Sequence, residues 1–160
     1  MAVAPHDHLL EIGCGRGTAV SLVAERLTTG TIVAIDRAAT MARLATDRNA
    51  SHISAGRAEI RGTGFESADL AAGHFTKIFA VNVSVFWLGA ATAQIERIRN
   101  LLAPGGVLYI FGERPTAANA EANVLSTERL LRAHGFATTR SIVARGQSRL
   151  FTCVTGTPIR

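Results

Sequence analysis

Short runs of aliphatic and β-branched residues alternate along this chain with longer stretches in which apolar residues recur every three or four positions. That pattern predicts strands alternating with helices about a parallel sheet. Residues 9–12 and 31–36 predict the first two strands. Between them Val20, Val23 and Leu27 share one face of a helix over 19–27, closed by Thr28, Thr29 and Gly30. A second helix is expected over 39–49, a third strand over 58–61 and a fourth over 77–82. In the next helix Ile95, Ile98 and Leu102 face inward while Gln94, Glu96, Arg97 and Arg99 face outward, and Pro104-Gly105-Gly106 is expected to end it. A fifth strand at 107–111, a long helix at 117–133 ended by Gly135, and strands at 141–144 and 150–154 joined by a turn at 145–148 complete the pattern. Residues 1–160 show no repeat, low-complexity tract or linker, so one domain is expected.

The composition fits this layout. Of 160 residues 48% are hydrophobic and 18% charged, which excludes a disordered or fibrous chain and suits a sheet covered on both faces. The longest apolar runs, such as 79–81 and 107–111, are far too short to span a bilayer. No basic segment followed by an apolar stretch marks the N-terminus as a secretory signal, so cytoplasmic residence is expected. Cys14 and Cys153 are too few for a disulfide framework and are read as reduced thiols. The formal charge of +5 comes from one lysine, Lys77, and 16 arginines dispersed from Arg16 to Arg160. Without a basic cluster it argues against a nucleic-acid partner.

The segment that bears on chemistry runs from the first strand into Gly13, Gly15 and Gly17 and then a helix. Glycines there remove side chains from a sharp turn, so that a ligand can lie on bare backbone at a helix N-terminus. A tight turn without a ligand is the alternative. Thr18 stands where the dinucleotide fingerprint G-x-G-x-x-G needs its third glycine, which argues against a nicotinamide cofactor. Asp36 closes the second strand 23 residues after Gly13. Its carboxylate can accept two hydrogen bonds from a ribose diol, or it can cap the helix that follows Arg37.

Taken together, Glu11-Ile-Gly-Cys-Gly-Arg-Gly17 resembles motif I of the class I, Rossmann-like S-adenosylmethionine-dependent methyltransferases. Ile35-Asp36-Arg37 with Met41 resembles that family's ribose-binding strand end and adenine-packing residue. Residues 73–82 resemble its fourth strand, 101–108 the approach to its fifth, and the closing strand pair its antiparallel end. The resemblance covers roughly residues 8–156. It implies an α/β three-layer sandwich: a mostly parallel seven-stranded sheet with an antiparallel last strand and helices on both faces. It also implies an S-adenosylmethionine site formed by Glu11, Gly13, Cys14, Gly15, Gly17, Thr18, Asp36, Arg37, Met41, Gly64, Phe65, Asn82 and Val83. Glu11 is expected to brace the glycine loop, and the helix after Gly17 to oppose the methionine carboxylate.

The chain departs from the family pattern in three places. Gly64, with Phe65 next, stands where an acidic residue near the adenine is usual, so backbone groups and Phe65 stacking are expected to serve. Thr76 replaces a common aspartate, with an effect expected on local capping. The sequence begins almost on the first strand, without the N-terminal helices that usually cover the cofactor, so a homodimer or a partner chain covering an open cleft is one expectation.

Acceptor-side candidates are Asn82, Phe86 and Trp87 after the fourth strand and Glu113 and Arg114 after the fifth, with core packing as the equal alternative for Phe86 and Trp87. No catalytic residue is required, since holding nucleophile and methyl in line can supply the acceleration. His74 falls before the fourth strand, at the wrong edge, and reads as a surface histidine. His6 and His8 lack companions at zinc spacing, so no metal is expected. Asn82-Val83-Ser84-Val85 lacks the prolines and aromatic of base-methylating enzymes, and Phe111-Gly112-Glu113 lacks the Asp-Asn pair of metal-dependent O-methyltransferases. A small organic, even lipid-like, acceptor is the leading expectation. A cofactor-binding module completed by a partner, an RNA methyltransferase and a nicotinamide-dependent reductase are the alternatives.

Overall fold

In the computed structural model, which describes residues 1–88, 91–145 and 149–159, Leu9 and Leu10 are neighbours in sequence but belong to different cores. Successive side chains of a strand point to opposite faces, and both faces of the strand His8–Ile12 (β1) are covered. Each such fully buried leucine contributes roughly 1.5–3 kcal/mol. On one face Leu9, Ile32 and Phe79 pack against Val20, Val23 and Ala24 of the helix Thr18–Ala24 (α1) and Ala45 of the helix Ala39–Arg48 (α2), with the short helix Ala50–Ser54 (α3) beside them. On the other, Leu10, Ile78 and Leu108 pack against Ile95, Ile98 and Leu101 of the helix Thr92–Leu101 (α4) and against Val124 and Leu131 of the helix Ala117–Ala133 (α5).

The sheet is completed by strands Thr31–Ile35 (β2), Ala58–Arg61 (β3), Phe75–Val81 (β4), Leu102–Arg114 (β5), Phe136–Arg145 (β6) and Arg149–Pro158 (β7). Their order is β3-β2-β1-β4-β5-β7-β6. The first five are parallel, and β7 runs antiparallel to both β5 and β6, as the sequence predicts. The chain leaves β1 towards β2 and β3, then returns across β1 to reach β4 and β5. Connections therefore diverge between β1 and β4, where an α/β sheet opens a crevice beyond the carboxyl ends of its strands. Ile12 lies level with Ile35 on one side and Ala80 on the other, so the loops after β1, β2 and β4 meet at that crevice.

Four boundaries differ from the sequence expectation. Helix α1 stops at Ala24 rather than 27, because the amides of Thr28, Thr29 and Gly30 all turn to the Pro5 carbonyl, at 2.9, 3.2 and 3.0 Å. The expected helix 39–49 is α2, ending at Arg48, and a further short helix that the pattern did not predict, α3, follows Asn49. Helix α4 ends before Leu102, and Pro104-Gly105-Gly106 lies inside β5 rather than stopping the helix. Phe75 pairs with Leu102 but Lys77 with Val107, so the Pro-Gly-Gly residues form a bulge with Gly105 at φ 77°. Strands β6 and β7 run ten residues each, their outer halves hidden from pattern reading by polar residues such as Thr138, Thr139 and Arg140. Of the turn expected at 145–148, residues 146–148 lie outside the described residues. Among the described residues no helix is long and apolar enough to cross a membrane.

Candidate functional site

At the divergence of β1 and β4 lies a cleft of about 420 Å³ whose walls include Gly13, Asp36, Phe65, Asn82, Val83 and Phe86. That volume is within the usual range for a small-molecule site. Of β1 and the loop after it, Ile12 and Gly13 line this cleft, and Glu11, Cys14 and Gly15 do not. Gly13 sits at φ 73°, and a Cβ there would come 2.8 Å from Val83 Cγ2, so both the conformation and the close approach require glycine. Gly15, at φ 53°, is the opposite case: a Cβ would meet nothing within 4 Å. Its backbone is bare and faces open space.

Three sets of bonds fix this loop. The amides of Gly13 and Cys14 both donate to the Ile35 carbonyl, at 2.9 and 3.0 Å. The Gly15 amide donates to Asp36 Oδ2 at 2.8 Å, while Asp36 Oδ1 accepts from the Ala38 amide at 2.9 Å. Asn49, fully buried, donates from Nδ2 to the carbonyls of Gly17 (3.0 Å) and Ala45 (2.9 Å) and accepts from the Ser21 hydroxyl at 2.8 Å. Sequence reading had placed Asn49 only at a helix end. The signal was present: Asn49 follows Ala42 and Ala45 on the apolar face of α2, where a polar residue needs a partner.

Glu11, 2% exposed, has one carboxyl oxygen, Oε2, without a hydrogen-bond partner. Burial, and then the charge of Asp36, raises its pKa to about 8. Burial first, and then Glu11 and Asp36, pushes the Cys14 thiol up to about 12, so it is not a nucleophile near neutral pH. Cys14 and Cys153 are both free.

The remaining predicted residues fall into two groups. Arg37 and Gly64 join the cleft wall. Phe65 is buried, with the Arg97 guanidinium 5.4 Å from its ring centre, and so forms a fixed wall. Gly17 caps α1, Thr18 begins it and Met41 lies half-buried on α2; none of the three lines the cleft. Helix α1 is only seven residues long. Phe86 is wholly buried in the core and meets the cleft only as wall. Trp87 lies beneath the Arg114 guanidinium at 3.9 Å, and Glu113 pairs with Arg149 at 2.7 Å. Asn82, at φ 56°, joins the two regions: its Oδ1 accepts from the Glu113 amide at 2.8 Å.

Thr76 caps nothing. It lies on β4, accepts from the His8 amide at 3.1 Å and donates to Asp7 Oδ1 at 2.8 Å, and Asp7 also pairs with Lys77. Sequence reading missed this buried group, which ties β1 to β4 at the end opposite the cleft. His74 is exposed at that same far edge, its ring 4.7 Å from that of His8. Among the described residues no three His, Cys, Asp or Glu side chains group as metal ligands.

A seven-stranded sheet of this order, with a glycine loop and an acidic strand end at its switch point, defines the Rossmann-like class I methyltransferase fold. Residues 10–108 match the family model described as a methyltransferase domain, and the chain belongs to that family. It is 34% identical over 114 residues to a trans-aconitate 2-methyltransferase of Delftia acidovorans, covering 68% of this chain and 38% of that protein. Its identity to the protein of the same name from Paracidovorax citrulli is 32% over 109 residues, covering 65% and 38%. The chain thus spans well under half the length of these relatives. Two solved structures share the fold. A SAM-dependent methyltransferase from Aquifex aeolicus superposes with TM-score 0.76 at 16% identity, covering 96% of this chain and 84% of that one. The geranyl diphosphate C-methyltransferase from Streptomyces coelicolor A3(2) superposes with TM-score 0.72 at 13% identity, covering 98% and 74%.

Proposed function

We propose that this protein binds S-adenosylmethionine in the cleft between β1 and β4 and catalyses transfer of its methyl group to a small organic acceptor. The observation that carries the reading is the hydrogen bond from the bare Gly15 backbone to Asp36, a residue that lines the cleft. Family membership and the small-molecule acceptor named for the trans-aconitate 2-methyltransferases support it.

The residues present suit this cofactor. Each Asp36 oxygen holds one backbone amide and keeps lone-pair capacity for one hydroxyl of a ribose diol. Two carboxyl groups, Glu11 and Asp36, lie close enough for one to perturb the other, a setting that favours a cationic ligand. Phe65 and Val83 give an apolar wall for a base. When bound, the cofactor supplies an electrophilic methyl whose bond to sulfur breaks, the electron pair staying on sulfur, as the acceptor atom bonds to carbon. The chain's own part is to hold that methyl in line with the acceptor, and positioning of this kind supplies effective molarities of up to ~10⁵–10⁸ M.

The test is calorimetric titration with S-adenosylmethionine, followed by an assay for S-adenosylhomocysteine with a panel of small organic acids, alcohols and amines. Saturable binding and acceptor-dependent turnover are expected. Preferential binding of a nicotinamide dinucleotide would overturn the reading.

A further inference from the structure

Beside the cleft, and sharing Asn82 with it, lies a second hollow of about 400 Å³ lined by Trp87, Glu113, Arg114, Pro115 and Arg149. Arg114 ends β5 at the carboxyl edge of the sheet. Its half-buried guanidinium lies on the Trp87 ring, 3.9 Å from the ring centre. Nη1 donates to the Glu113 carbonyl at 2.6 Å and reaches Asn82 Oδ1 at 3.5 Å. With the Asn123 amide turned to satisfy both its polar atoms, its oxygen accepts from Nε and, at 3.0 Å, from Nη2.

Every one of these partners is neutral. The neighbouring carboxylate, Glu113, is held by Arg149 at 2.7 Å instead, and among the described residues Arg114 makes no ion pair. The guanidinium has lost part of its hydration without gaining a counter-charge, and this desolvation lowers its pKa. A cation in that position is completed by an anion. Stacking on Trp87 fixes the guanidinium plane, and of its five N–H donors these contacts use four, leaving one on Nη2 for an oxyanion oxygen. Asn82 lines both the hollow and the cleft, so the two adjoin.

We propose that Arg114 is an acceptor-binding residue and that the methyl acceptor carries an oxyanion, carboxylate or phosphate, seated on the Arg114–Trp87 platform. This rests on the methyltransferase reading above and names the chemical class of its acceptor. The formal charge of +5 would draw such an acceptor to the surface.

The experiment titrates the full chain, loaded with S-adenosylhomocysteine, with succinate and with glycerol 3-phosphate, and with their neutral counterparts succinamide and glycerol. At least one acid is expected to bind and neither neutral compound; succinate alone identifies a carboxylate site, glycerol 3-phosphate alone a phosphate site. Arg114→Gln is expected to weaken the acid about 10- to 100-fold and to leave S-adenosylhomocysteine affinity unchanged, which also reports that the variant is folded. Arg114→Lys should recover part of the loss. The proposal is overturned if the acids bind no better than the neutral compounds, or if Arg114→Gln binds the acid as tightly as the unmodified protein. Failure of the unmodified protein to bind S-adenosylhomocysteine at all would overturn the cofactor reading, and the acceptor class with it.

Discussion

The Gly15 amide points at Asp36, 2.8 Å from Oδ2, so the carboxylate that ends β2 also holds the loop that ends β1. Because Oδ1 is bonded to the Ala38 amide at 2.9 Å, both oxygens are needed. Asparagine has one acceptor oxygen and keeps only one of these contacts. Asp36→Asn is therefore expected to weaken S-adenosylmethionine binding by roughly 1.5–3 kcal/mol, the worth of a charge-assisted hydrogen bond, and Asp36→Ala by at least as much. Calorimetry at constant salt measures this. An affinity within twofold of the unmodified protein would remove Asp36 from the cofactor site.

Asn49 holds the same loop from beneath. Truncating it to alanine removes three side-chain hydrogen bonds, while the Gly17 and Ala45 carbonyls keep the backbone amides of Ser21 and residue 49 and the Ser21 hydroxyl keeps the Gly17 carbonyl. Each lost bond costs about 0.5–1.5 kcal/mol, and in a chain of this size each 1 kcal/mol lowers Tm by about 2–4 °C. Asn49→Ala should therefore show a clear drop in the thermal midpoint together with weaker cofactor binding. Thermal unfolding with and without S-adenosylhomocysteine separates the two effects; an unchanged midpoint would show that the loop does not depend on Asn49.

Much of this arrangement was legible in the sequence because period and punctuation agree there. Strands β1 and β2 are short and apolar between polar turns, and Gly13, Gly15, Gly17 and Asp36 lie where a strand-to-helix switch requires them. The elements misjudged were those set by distant partners. The end of α1 depends on the Pro5 carbonyl, which gathers three amides, and the Pro-Gly-Gly bulge in β5 depends on pairing with β4. Neither partner is local in sequence. The same holds at the site. Trp87 reads as an apolar residue on the acceptor side, and only the fold shows that it carries the Arg114 guanidinium.

The ion pair of Asp7 with Lys77 is tested by removing one partner at a time. Asp7 is 3% exposed and also accepts from the Ala4 amide and the Thr76 hydroxyl, at 2.7 and 2.8 Å. Burial raises its pKa, but the bonds from Lys77, Ala4 and Thr76 outweigh that and hold it below the usual carboxylate value. Lys77→Met leaves a buried charge uncompensated and is expected to cost about 3–5 kcal/mol. The double variant with Asp7→Asn should recover part of that loss. Denaturant midpoints for the four proteins of this cycle give the coupling, and additive effects would mean that the pair does not act as a unit.

Glu11 gives a pH dependence of opposite sign to that of Asp7. Burial and the Asp36 charge raise its pKa from 4.5 to about 8, so the folded protein holds a proton that the unfolded chain releases. Below pH 4.5 both states are protonated and the full stability is present. As pH rises from there towards 8, stability falls by about 1.4 kcal/mol per pH unit from this group alone, and above 8 the loss is complete. Glu11→Gln removes the titration, so its advantage over the unmodified protein should grow between pH 5 and pH 8 in denaturant melts. A cationic ligand bound near Glu11 reverses the preference by stabilising the carboxylate. S-adenosylmethionine binding at pH 7 should then release a proton, detectable as a dependence of the calorimetric heat on buffer ionisation enthalpy that Glu11→Gln abolishes. Equal proton release from the Gln variant would assign it to another group and leave Glu11 a purely structural brace.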